Sequence, residues 1–395
     1  VFEKKILNNL ITIFDDGSFQ INQKYFNYST GFTMTNNNFN KLFKMNRRNE
    51  DQLLNQKHLD LAASIQKVIE IIVVKIAKKS FDLTKCNNLC LAGGVALNCV
   101  ANSKILENKI FKNIWIQPAS GDAGGAIGAA LYGYYNNFNK KRVIKKTDSM
   151  NGSFLGPKFS NNEIKKVLDK LKVKYKFFDN DLLFNNTIKL ITQGKTIGWF
   201  HDRMEFGPRA LGHRSILGDP RSKKMQKIMN LKIKFRESFR PFAPSILEND
   251  SKEWFNLKID SPYMLFVAQL NQNKRINIKR KQKNLKGLDL LYVNRSKIPA
   301  VTHVDYSARL QTVSKRFNNK FYKLIKKFKQ MTKCPLLINT SFNVRGEPIV
   351  CSPKDAIECF MATNLDALVI ENYFIIKKEQ DKKLQNIYIR EFDKD

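Results

Sequence analysis

Between residues 88 and 135 the chain repeats one pattern twice: a short apolar run, a turn of glycine and small residues, then a segment with helical spacing. The first copy runs from Asn88 to Ala92 through Gly93-Gly94 into a helix expected over about Val95 to Glu107. The second runs from Asn113 to Gln117 through Pro118-Ala119-Ser120-Gly121 into a helix expected over Asp122 to Tyr135. Strand, turn and helix in this order predict parallel strands with ligands at their ends. The 395 residues are too many for one ordinary core, and 43% hydrophobic content is ample for two.

The flanking chain extends the α/β pattern. Alternation over Phe14 to Ile21 suggests a hairpin. Leu61, Ile65, Val68, Ile72 and Ile76 recur at helical spacing within His58 to Lys78. The basic and polar stretch from Lys140 to Gly152 reads as a linker. Beyond it, helices are expected over about 162–171, 182–193, 222–232 and 353–362. Strands are expected near 173–178, 196–200, 335–339 and 367–376, and Asn271 to Lys286 looks like a surface insertion.

The formal net charge of +34 has two readings. One is an anionic partner. The other is compositional drift toward Lys and Asn, and the lysines at helix-face positions (Lys165, Lys166, Lys326, Lys327) fit solvated surfaces. Six cysteines form no CxxC pair, and no two of the four histidines are spaced i, i+4, so no His-pair metal site is expected. A reduced, cytoplasmic protein fits. The longest apolar stretch, Ile69 to Ala77, is too short and too interrupted to span a bilayer.

The arginines behave differently from the lysines. In GWFHDRMEFGPRALGHRSILGDPR, Arg203, Arg209, Arg214 and Arg221 lie among glycines and apolar anchors, and KFRESFRPFAP adds Lys234, Arg236 and Arg240. Guanidinium groups held on such a loop make forks for phosphate or carboxylate oxygens, the competing reading being surface ion pairs. THVDYSARLQTV places His303, Asp305 and Arg309 in one segment expected to precede a helix. LLINTSFNVRGEPIV brings Asn339, Thr340, Ser341 and Asn343 to a strand end. Amides, hydroxyls and an arginine there suit a small polar group, or else a turn capped with no ligand. Gly93-Gly94 can admit a ligand close to the backbone or make a tight turn. Asp122 can cap its helix or bind a cation.

In this order the motifs resemble the O-carbamoyltransferases of antibiotic and nodulation-factor biosynthesis, from about His58 to the end. The resemblance implies an α/β chain in which an incomplete actin-like (ASKHA, RNase H-like) ATPase domain, residues 1–145, precedes a linker, 146–152, and a YrdC-like domain, 153–395. The YrdC-like domain would join carbamoyl phosphate and ATP into carbamoyl adenylate, and the first domain would hand the carbamoyl group to a hydroxyl-bearing acceptor. Arg209, Lys234 and Arg309 would hold the phosphates, helped by Arg214 and Arg240. Ser341 would hold the carbamoyl group with Asn339, Asn343 and His303. Gly93, Gly94, Asn98 and Gly121 would line the adenylate pocket, and Asp122 would be one ligand of a divalent metal (Fe2+, Mn2+ or Mg2+). The resemblance also implies a histidine-bearing segment ahead of these residues, supplied by a longer or separate chain. The family commonly has a small residue, often Gly, where Tyr306 stands. Membrane and nucleic-acid partners are not expected. The alternative readings are a tRNA threonylcarbamoylation enzyme and a non-catalytic nucleotide-binding remnant of a split gene.

Overall fold

The computed structural model describes residues 1–49, 52–144, 147–278, 282, 285 and 287–387. It divides into two compact units, one formed by Val1–Leu91 with Asn98–Ile116, the other by Ala92–Leu97 with the chain from Gln117 onward.

The first unit is built around one long helix. Its elements are α1 (Glu3–Asn9), the hairpin β1 (Ile11–Ile13) and β2 (Phe19–Ile21), α2 (Asn37–Phe43), α3 (Gln56–Thr84), β3 (Asn88–Leu91), α4 (Cys99–Glu107) and β4 (Asn113–Ile116). Asn55 starts α3 with a capping box: its side chain accepts from the His58 amide while the His58 ring accepts from the Asn55 amide. Val68 and Ile72 then pack with Ile6, Leu10 and Phe43, and Ala77 packs with Ile105 and Phe111. The expected hairpin and long helix are both present. β3 and β4 run parallel, with Leu89 opposite Ile114. The helix expected from Val95 is broken in two, because Asn98 leaves helical geometry and caps α4 through the Ala101 amide.

The second unit opens with α5 (Asp122–Tyr132) and continues through α6 (Asn161–Lys170), β5 (Lys176–Phe177), α7 (Asn180–Thr192), β6 (Ile197–Phe200), β7 (Arg214–Gly218) and α8 (Met225–Lys232). Next come β8 (Ala243–Leu247), α9 (Ser251–Trp254), β9 (Phe255–Asn256), β10 (Phe266–Leu270), β11 (Ser307–Val313), α10 (Asn319–Thr332), β12 (Leu336–Ser341), α11 (Pro353–Ala362), β13 (Ala367–Ile370) and β14 (Tyr373–Ile376). Ten of these strands form one sheet in the order β5-β14-β13-β6-β7-β12-β8-β11-β10-β9. The pairs β6/β13 and β8/β11 are parallel and the other seven antiparallel. Every residue of β6, β7, β8 and β13 is buried, so these strands are covered on both faces. One cover is α10, whose Phe321, Leu324, Ile325 and Phe328 recur at helical spacing and are fully buried, each contributing roughly 1.5–3 kcal/mol.

Three expectations change. Residues 302–313 do precede a helix, α10, but they are not themselves a helix start: His303 and Asp305 sit in a turn, and Arg309 lies on β11. The single strand expected over 367–376 is the hairpin β13–β14, turned at Glu371 with φ of 50°. The insertion expected at 271–286 lies partly outside the described residues. Its described start is anchored, since Lys274 is buried, 2.5 Å from Glu253 Oε1 and over the Trp254 ring.

Candidate anion cleft

Residues separated by more than a hundred positions meet at one end of the sheet. Arg209 follows Gly207-Pro208 on the loop between β6 and β7. Gly207 needs to be glycine: its φ is 139°, and an added Cβ would lie 3.0 Å from the Pro118 carbonyl. Arg236 and Arg240 come from the segment between α8 and β8. Arg309 stands on β11, opposite Val267 of β10. Asn339, Thr340 and Ser341 end β12, where Ser341 pairs with Ser215. Together with Ala210 and Met264 these residues line a cleft of about 290 Å³.

The cleft is strongly cationic. Arg236 donates from Nε to Asn230 Oδ1 at 2.8 Å and stacks over Phe242. Burial, and then the neighbouring charge of Arg240, lower its guanidinium to about 10. Arg240 pairs with Glu237 at 2.9 Å, and an Nη of Arg209 donates to the Leu97 carbonyl at 3.3 Å. Four guanidinium groups on one small volume make a site for an anion with several oxygens.

Beneath the cations lies a buried amide network. Asn339 is fully buried, and its Nδ2 lies within hydrogen-bonding reach of Ala210 O (3.2 Å), Ser245 Oγ (2.9 Å) and Gln311 Oε1 (3.0 Å). Its Oδ1 has no partner among the described residues, which leaves an acceptor for an N–H or O–H group. Gln311 in turn donates to the Leu211 carbonyl at 2.8 Å, fixing the loop that carries Arg209. Neither Ser245 nor Gln311 stood out in the sequence, because each is an ordinary polar residue whose neighbours give no sign that it faces the buried amide.

Lys234 sits behind the cleft wall. It is 3% exposed, and its Nζ donates to the Ser341 carbonyl, to Ser341 Oγ (3.2 Å), to Asn343 O (2.9 Å) and to Asn343 Oδ1 (2.7 Å). Ser341 Oγ also donates to Asn343 Oδ1 at 2.7 Å. An ammonium has three hydrogens. Here all three serve the loop that presents Ser341. Burial, followed by the charge of Arg236, pushes Lys234 down to about 7, against the pull of the surrounding oxygens.

Other expected site residues lie elsewhere. Arg214 is fully buried at the start of β7, its guanidinium 3.5 Å from the Phe200 ring centre. It donates to the carbonyls of His201, Asp202, His213 and Pro157. Burial lowers it to about 10. Its forks therefore bind backbone and do not line the cleft. His303 is half-buried, with Nδ1 3.0 Å from Ser307 Oγ, and burial lowers its pKa. It serves the turn before β11.

The glycine motifs are in the expected turns. Gly93 has φ of 95°, and no atom lies within 4 Å of a Cβ built on Gly93 or Gly94. Asn98 is committed to structure, capping α4 and donating to Gln66 Oε1 at 2.9 Å. Gly121 is the N-cap of α5, so Asp122 is its first helical residue and not the cap. Asp122 is exposed, and among the described residues no group of three or more His, Cys, Asp or Glu is placed to hold a metal. The donors described in this chain do not by themselves fit a divalent metal at Asp122.

A sheet end of an α/β fold that gathers four arginines, a serine and a buried amide offers charges and hydrogen-bonding groups suited to a polyoxygen anion beside a small polar group. Residues 188–377 match the family model for the carbamoyltransferase C-terminus, and residues 2–131 match that for the carbamoyltransferase N-terminus. The chain belongs to the carbamoyltransferase family. It is 50% identical over 387 residues to uncharacterized protein sll1178 of Synechocystis, covering 96% of this chain and 63% of that one. It is 39% identical to nodulation protein NolNO of Sinorhizobium fredii and 38% identical to nodulation protein NolO of Bradyrhizobium diazoefficiens. Each match covers 82% of this chain. The chain spans 45% and 55% of those two relatives' lengths. Among the described residues no helix is long and apolar enough to cross a membrane.

Proposed function

We propose that this chain belongs to an ATP-dependent O-carbamoyltransferase, in which the cleft makes carbamoyl adenylate from carbamoyl phosphate and ATP. The carbamoyl group then passes to a hydroxyl of a sugar or other small acceptor. The observation that carries the reading is the convergence of Arg209, Arg236, Arg240, Arg309 and Ser341 on one 290 Å³ cleft. On this reading residues up to about 145 are part of an actin-like domain and those from 153 onward are a YrdC-like domain.

The balanced chemistry has two bond changes in the cleft. Water cleaves carbamoyl phosphate to carbamate and phosphate. A carbamate oxygen then attacks the α-phosphorus of ATP, forming the mixed anhydride and expelling pyrophosphate. Negative charge gathers on phosphoryl oxygens at both steps, and fixed guanidinium groups stabilise it without reorganising. Asn339 Oδ1, a buried acceptor without a partner among the described residues, suits one carbamoyl N–H, and Ser341 Oγ, whose own hydrogen goes to Asn343 Oδ1, keeps a lone pair for the other. Lys234 orients Ser341 and Asn343. In the transfer step the acceptor hydroxyl oxygen bonds to the carbamoyl carbon, AMP leaves, and the hydroxyl proton is released.

The test is incubation of the folded chain with ATP and carbon-labelled carbamoyl phosphate. Labelled carbamoyl adenylate and pyrophosphate in equal amounts are expected. A folded sample that yields no pyrophosphate overturns the reading.

A further inference from the structure

A second cavity, of about 450 Å³, lies at the carboxyl ends of the parallel pair β6 and β13. His201 and Asp202 follow β6, Glu371 follows β13, and all three line it. None of its lining residues belongs to the arginine cleft.

Its charges are unevenly matched. Lys158 pairs with Asp202 at 2.9 Å and Lys320 with Glu371 at 3.0 Å. Arg316, the third cation, is exposed, lies over Phe317, and has no carboxylate partner among the described residues. Two helices also begin at this wall. The positive end of α6 is offset by Glu163 in its capping box. That of α10, fourteen residues long, has no acidic residue in its first turn, and Asn318 caps only the Phe321 amide. The leading amides of α10 have no acceptor within the helix.

A buried side chain adds an independent requirement. His213 lines the cavity and is 2% exposed. Its Nδ1 lies 2.6 Å from the Arg203 carbonyl, so Nδ1 carries the hydrogen, and its Nε2 has no partner among the described residues. The neutral ring therefore keeps an unused acceptor. Burial holds His213 below the ordinary histidine range, in favour of that neutral form. The lining thus combines an unpaired guanidinium and an uncompensated helix start with a lone pair that seeks a hydrogen.

We propose that this cavity binds a tetrahedral oxyanion that carries its own O–H, free hydrogen phosphate being the simplest. Its oxygens face Arg316 and the first amides of α10, and its hydroxyl satisfies His213. Phosphate is also a product of the reaction proposed above, but the assignment rests on these residues alone.

Calorimetric titration of the full chain at low ionic strength tests it, in an Arg209→Ala background that weakens anion binding in the cleft. Sulfate has a similar size and charge but no hydroxyl at neutral pH, so phosphate should bind at least about five-fold more tightly than sulfate. Adding Arg316→Glu, an exposed change that leaves the core intact, should weaken phosphate by about ten-fold or more. The proposal is overturned by sulfate matching phosphate, by phosphate binding that Arg316→Glu leaves unchanged, or by no phosphate binding to folded protein. Pyrophosphate formation by the wild-type chain is measured separately, so failure of one reading does not mimic failure of the other.

Discussion

Arg209 and Arg214 are five residues apart and have opposite duties. Arg214 closes four backbone carbonyls in the interior, whereas Arg209 faces a cleft. Their sequence surroundings are alike, because spacing shows that arginines cluster and not which way each one faces. Replacing Arg214 with alanine should remove a donor from each of those carbonyls, of which His213 O and Pro157 O keep a backbone amide, and cost about 3 kcal/mol or more. Arg209→Ala should cost less than about 1 kcal/mol. Urea unfolding of the two variants checks the contrast. Lys234 carries a pH signature. Its folded value of about 7 lies below the ordinary lysine value near 10.4, so the unfolded chain binds more protons between these limits. Stability from this group therefore rises with pH from about 7 toward 10.4 and is lowest below 7. The difference in unfolding free energy between wild type and Lys234→Met should widen in favour of wild type, by at most about 1.4 kcal/mol per pH unit. Unfolding titrations at pH 7, 8 and 9 would show it, and a flat difference would contradict the assigned shift.

Helices with explicit start signals were legible in the sequence. Ser160 with Glu163 and Ser352 with Asp355 form capping boxes, and α6 and α11 begin within a residue of their expected positions. Strands β7, β8 and β11 were not legible, for physical reasons. β7 opens with a charged Arg214, β8 holds Pro244 opposite Ile338 in the sheet interior, and β11 reads as polar because Arg309 and Gln311 interrupt it. Each contributes to the arginine cleft or its supports, where local rules yield to function. Tyr306 has φ of 65° just before β11, which is why glycine suits this place, and stacking of Arg275 at 4.5 Å helps offset the strain. Gly212 is stricter. It has φ of 105°, and an added Cβ would meet Phe321 Cδ1 at 2.3 Å. Because Phe321 begins the packed face of α10, Gly212→Ala should cost about 3 kcal/mol, read as a lowered denaturation midpoint.

Across the whole molecule, the chain's excess of lysine explains less than its placement of arginine. With a net charge of +34 almost any surface is basic, yet the cleft draws its guanidinium groups from three separate stretches. A linear reading found the residues, and the ten-stranded sheet supplies what it could not: Asn339 to Ser341 end beside the loop of Arg209 because β12 pairs with β7. Arg236 shows the same limit, since it was visible in KFRESFR but gained a role only once the cleft existed. The residues of that cleft stand or fall together. Pyrophosphate release from ATP and carbamoyl phosphate should therefore be compared in Arg209→Ala, Arg309→Ala and Ser341→Ala, each checked for an unchanged denaturation midpoint. All three are expected to fall by about a hundred-fold or more. A loss confined to one variant, with the other two at the wild-type rate, would mean that these side chains do not serve a common ligand.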